Sequence, residues 1–102
     1  LSEQNKDGIV DLAIFDRVLT ILNKKDLDNL FQIISKYVRY IIIDDFFSKQ
    51  EFQGKVWLAR NYEELLKEYE YKIIKKKKSE HEITSKFHSE HAYLLVFEKS
   101  NI

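Results

Sequence analysis

The sequence predicts an α/β domain in the order strand, helix, strand, helix, strand, strand. Three observations carry that expectation. Residues 9–15 (IVDLAIF) and 38–43 (VRYIII) are near-continuous apolar runs rich in β-branched side chains. Runs of that kind suit strands buried on both faces, as in a parallel sheet covered by helices. Between them apolar residues recur at the helical period, so a crossover joins the two strands and favours a parallel pair. After a second helical stripe come two more strand-like segments, 71–78 and 92–97.

Each element has its own local reason. The first strand stops at Asp16-Arg17 and the second at Asp44-Asp45, where each is expected to leave the core for a loop. The helix between them opens at Asn23, a side chain suited to an N-cap, with Asp26 and Asp28 adding negative charge to the first turn. Leu27, Leu30, Phe31, Ile34 and Val38 then form the apolar stripe, while Lys24, Lys25, Asn29, Gln32 and Lys36 take the other faces. A second helix starts near Asn61, which with Glu64 has the spacing of a capping box, and Leu65, Leu66 and Tyr69 supply its stripe. The polar stretch after residue 78 is long enough to let the last two strands pair antiparallel. Residues 46–60, with Gly54, phenylalanines and Trp57, read as a long aromatic loop, with or without a short helix.

Size and composition bound what such a domain does. At 102 residues the chain holds one domain at most. A 44% hydrophobic and 14% aromatic content is that of a globular chain, not a disordered one. Seventeen basic residues balance seventeen acidic ones. Zero net charge weighs against a protein built mainly to grip nucleic acid, although a local basic patch stays open. The absence of cysteine excludes disulfides and thiolate metal sites and suits a reducing compartment. The longest apolar runs, such as 40–43, fall far short of the roughly 20 residues that cross a membrane. The polar opening Leu1-Ser2-Glu3-Gln4-Asn5 does not resemble a signal peptide, so the cytoplasm is the expected compartment. With no methionine anywhere, Leu1 is expected either to follow a removed start or to begin a piece of something longer.

In order and spacing these segments resemble the C-terminal half of class I S-adenosylmethionine-dependent methyltransferases. Asp11-Leu12-Ala13-Ile14-Phe15-Asp16-Arg17-Val18-Leu19 is similar to the family's fourth strand and following turn, and Tyr40-Ile41-Ile42-Ile43-Asp44-Asp45 to its fifth. Asn61-Tyr62-Glu63-Glu64-Leu65-Leu66-Lys67-Glu68 resembles the next helix. Tyr71-Lys72-Ile73-Ile74 and Tyr93-Leu94-Leu95-Val96-Phe97-Glu98-Lys99 resemble the sixth and seventh strands. The resemblance covers almost the whole chain. It implies a Rossmann-like, mostly parallel sheet whose last strand is inserted antiparallel between the fifth and sixth, leaving 71–78 at the edge. Lys75 to Lys78 would there be a solvated edge that resists pairing, or alternatively a patch for RNA or anionic lipid. The family often has a left-handed glycine before its sixth strand, where this chain has Glu70.

The resemblance also implies what the chain lacks and what it brings. The family's glycine-rich cofactor turn lies in the first half, and Gly8 and Gly54 alone do not assemble one. The isolated chain is therefore expected to bind S-adenosylmethionine poorly and to contribute the substrate side. In open α/β sheets ligands sit beyond the C-terminal strand ends. That points to Asp16 and Arg17 as catalytic candidates, with Phe15 and Asp16 near the cofactor. Asp44, Asp45, Phe46, Phe47 and Trp57 are the candidates for a small-molecule methyl acceptor. A carboxylate in that turn is suited to orienting an acceptor or taking its proton. Charged strand ends equally fit solvated loops, Arg17 a capping role, and the aromatics a core. His81, His88 and His91 alternate with glutamates, but the segment reads as a loop without a further ligand signature, and no metal site is assigned. The competing reading is a non-catalytic α/β module. The outer edge of 9–15 would then pair with a partner chain or a second copy, as a homodimer.

Overall fold

The computed structural model describes residues 10–53, 58–79 and 90–100. The chain order is β1 (Val10–Asp16), a 3-10 turn (Leu19–Ile21), α1 (Lys24–Ile34), β2 (Val38–Phe46), β3 (Phe52–Gln53), β4 (Leu58–Ala59), α2 (Tyr62–Lys67), β5 (Tyr71–Lys78) and β6 (Ala92–Lys99). The fold is mixed α/β, as the sequence predicts. Both helices start where their caps predict. The Asn23 side chain accepts from the Asp26 N–H at 2.8 Å, and the Asn61 side chain from the Glu64 N–H at 3.1 Å.

A four-stranded open sheet has the order β1-β2-β6-β5. β1 and β2 pair in parallel with Ile14 beside Ile42, as the crossover demands. β6 is antiparallel to both its neighbours, β2 and β5. Counted by pairing, the sheet is mostly antiparallel with one parallel pair, while β1, β2 and β5 all run the same way. The cause is simple: one reversed strand placed inside a row converts the interfaces on both its sides. β5 lies at the edge, and the last two strands pair antiparallel as expected.

β2 runs on through Asp44, Asp45 and Phe46, opposite Leu94, Tyr93 and Ala92, so the strand does not end where its charges begin. Both carboxylates find hydrogen-bond donors, and the ladder continues past them. In the 46–60 segment the described residues form a small hairpin, β3 against β4, and no helix. Trp57 and Gly54 lie outside the described residues, as does Ile9.

The core sits on one face of the sheet. Leu27 and Phe31 of α1 and Tyr62 and Leu66 of α2 pack on Ile41, Ile43, Leu95 and Phe97, all buried. Each fully buried aliphatic or aromatic side chain there contributes roughly 1.5–3 kcal/mol. Strand alternation sends Leu12, Ile14, Ile42, Leu94 and Val96 to the opposite face. Leu12 and Ile14 are exposed there, at 44% and 63%. Among the described residues no helix covers that face, so β1 is not buried on both sides as its apolar run predicts. None of the described helices is long and apolar enough to cross a membrane.

Candidate functional site

The C-terminal ends of β1 and β2 come together, and the end of β5 lies beside them. Asp16 closes β1 and stands opposite Asp44 in the parallel register. Arg17 follows in the left-handed region, with φ 60°. That backbone costs a non-glycine residue about 1–2 kcal/mol, and three contacts hold it. The Arg17 N–H donates to the Asp44 carbonyl at 2.8 Å. Its Nε is 3.4 Å from Asp44 Oδ1, and its Nη2 donates to Ser79 Oγ at 3.1 Å. The guanidinium also lies 4.8 Å from the centre of the Phe46 ring. Ser79 Oγ in turn donates to Asp44 Oδ1 at 2.8 Å. Arg17, Asp44 and Ser79 thus form one partly buried network that ties three strand ends together. Asp16 remains exposed at its margin.

Asp45 points the other way, into the protein. It is fully buried, and its carboxylate accepts from Leu19 and Thr20 N–H at 3.1 and 3.2 Å and from the Phe46 N–H at 2.8 Å. Burial raises its pKa from 3.8 to about 6, against the pull of those three donors and of Arg17. The carboxylate pins the 3-10 turn after β1 to the end of β2. Beside it Arg60, 3% exposed, donates Nη1 to the Leu19 carbonyl at 2.7 Å and Nη2 to the Leu22 carbonyl. Thr20 Oγ1 donates to the Leu58 carbonyl at 3.0 Å and accepts from the Leu58 N–H at 3.1 Å. The Tyr62 hydroxyl is buried with no hydrogen-bond partner among the described residues. Burial, then the Asp45 charge, raises the pKa of this phenol well above its usual range, and the Arg60 charge opposes them.

Of the residues singled out from the sequence, the fold joins Arg17, Asp44 and Phe46 directly and leaves Asp16 accessible. Phe46 and Phe47 are buried, Phe15 is half-buried against the core, and Trp57 lies outside the described residues. His81 and His88 also lie outside them, and the described residues contain no group of three ligand-type side chains placed to hold a metal. Ser79, Arg60, Thr20 and Tyr62 carry no signal in the sequence. The partners of the first three stand far away along the chain, 35 residues for Ser79 with Asp44, 41 for Arg60 with Leu19 and 38 for Thr20 with Leu58. A cavity of about 290 Å³ lies away from these strand ends, between α2 and the start of β5, with Glu63, Lys67 and Lys72 in its wall. No protein-family model matches the chain, and no curated protein matches it in sequence.

Proposed function

We propose that the chain is the substrate-side, C-terminal half of a Rossmann-like class I S-adenosylmethionine-dependent methyltransferase domain. The observation that supports this most is the strand order β1-β2-β6-β5, with β6 reversed between β2 and β5. That is the order the sequence resemblance implies for the family's fourth, fifth, seventh and sixth strands. A chain that simply laid each strand beside the previous one would not insert its last strand between the two before it.

With only Gly8 and Gly54, this chain has no glycine-rich cradle for the cofactor. Its residues are therefore assigned to the acceptor side. Transfer of a methyl group to an acceptor hydroxyl or amine releases a proton, and alignment and proton removal are the main demands on the protein. Asp16, exposed beside the Arg17–Asp44–Ser79 network, is the carboxylate to receive that proton. The network fixes the turn that carries it. Phe46, under the Arg17 guanidinium, supports the turn from below, and a small-molecule acceptor would sit above it.

Titration calorimetry with S-adenosylmethionine, on the full gene product and on the 102-residue chain, tests this reading. Micromolar binding by the full product and none by the short chain is the expected result. A full product that binds no cofactor would overturn it. The exposed Leu12 and Ile14 on β1 favour a second reading, a non-catalytic module that pairs through this edge with a partner chain. A start codon directly before Leu1 in the gene would support that module. An upstream strand followed by a glycine-rich turn would support the enzyme.

A further inference from the structure

We propose that the outer edge of β5 is a binding surface for single-stranded nucleic acid, held through its phosphates. Lys72 and Lys75 to Lys78 are all exposed along this edge strand. The residues opposite the last four across the ladder are Val96, Leu95, Leu94 and Tyr93, and Lys78 Nζ also donates to the Glu90 carbonyl at 3.5 Å. A register shift between Ile73 and Lys75 marks where the row begins. Beyond it Lys75 and Lys77 point to the open face, and Lys76 and Lys78 to the helix face. Same-face lysines stand about 6.6 Å apart along a strand, a separation that suits successive phosphates of an extended single strand.

The helix-face pair is held in place. Lys76 Nζ lies 4.5 Å from the centre of the Phe47 ring and 5.7 Å from that of Tyr93. Lys78 Nζ lies 4.5 Å from the Tyr93 ring centre, and the two rings meet edge to face at 5.9 Å. A lysine that only blocks edge pairing needs no fixed position. Ammonium groups seated on rings have already lost much of the side-chain freedom that binding would cost. The Tyr93 ring thus serves to seat the two ammoniums, and the basic track itself is the element that single strands follow.

Other anions fit less well. A small phosphorylated ligand needs a concave site, and the cavity beside β5 lies at the strand's other end with Glu63 and Glu64 in its wall. A bilayer meets cations on one plane, whereas these lysines project from both sides of a narrow ridge. The proposal stands apart from the methyltransferase reading, and its assay contains no cofactor.

Fluorescence anisotropy with labelled oligo-uridine and oligo-deoxythymidine of about 16 nucleotides provides the test. Four phosphate contacts predict a log–log salt slope of about −2.8, or a roughly 50-fold loss of affinity between about 50 and 200 mM salt. Lys76→Gln with Lys78→Gln should lower the slope by about 1.4. The same pair changed to arginine should keep it. Lys76→Glu with Lys78→Glu keeps the edge charged against pairing and should weaken binding further than glutamine does. Tighter binding of one oligonucleotide than of the other still supports the proposal and shows which sugar is preferred. Failure to bind either at about 50 mM salt, binding unchanged by the glutamine and glutamate pairs, or binding only to phosphatidylserine vesicles would each overturn it.

Discussion

Two opposing pulls act on the Asp45 carboxyl. Three backbone N–H groups favour its charge, and complete burial disfavours it more strongly, which leaves the folded-state pKa near 6 against an ordinary 3.8. Between those values the folded chain holds a proton that the unfolded chain has released. Asp45 therefore contributes stability that is fully present below about pH 4 and is lost as pH rises through about 6, of order 3 kcal/mol in all. In Asp45→Asn this dependence disappears, while an amide N–H₂ or a lost acceptor meets the Phe46 N–H. Urea unfolding should find the variant clearly less stable than the parent at pH 4, with the gap narrowing by about 2–3 kcal/mol at pH 7. A constant gap would mean that Asp45 is charged throughout. At this scale the sequence was only partly legible. Charges that end apolar runs mark Asp16, Arg17, Asp44 and Asp45. The opposite duties of Asp44 and Asp45 depend on β2 continuing past them, which only the pairing with β6 establishes. Arg60 and Ser79 were unreadable because nothing local distinguishes them from surface residues.

Elements defined by local chemistry were the legible ones. α1 has a capping asparagine and an apolar stripe, and both act as read up to Ile34, whereas Val38, assigned to the stripe, opens β2. The β3–β4 hairpin has two-residue strands, too short for any period to register. The reversal of β6 is legible only through resemblance, because direction within a sheet leaves no mark on a single strand. The turn from α2 into β5 joins the two kinds of information. Glu70 adopts φ 69°, the left-handed conformation that favours glycine, and the Glu70 carbonyl accepts from the Ser100 N–H at 2.7 Å. Relief of that backbone, less the greater freedom glycine gives the unfolded chain, should make Glu70→Gly more stable by about 0.5–1 kcal/mol. Thermal melting would register this as a rise of a few degrees. An unchanged or lower midpoint would show that the glutamate side chain compensates for the strain. Arg17, at φ 60°, offers no such gain, because glycine there would also remove the contacts to Asp44 and Ser79.

For the whole molecule the main feature is the uneven treatment of the two sheet edges. β5 carries exposed lysines and a register shift, whereas β1 carries the exposed Leu12 and Ile14 and, among the described residues, pairs only with β2. Lysines and irregularities protect an edge, and flat apolar edges invite another strand. The 102-residue chain on its own should self-associate through β1. Ile14→Lys should make it monomeric in sedimentation velocity, at a cost within about 0.5 kcal/mol, since the side chain is 63% exposed. Undiminished association would show that neither the β1 edge nor the sheet face onto which Ile14 projects holds the copies together. The asymmetry also sets a limit on growth. A filament built by strand addition needs two adhesive sides on every subunit, one to receive and one to offer. A sheet that is open along β1 and guarded along β5 has a single valence. Whatever docks there, whether the rest of a domain, a foreign chain or a twin, uses up that valence, and extension stops at one partner.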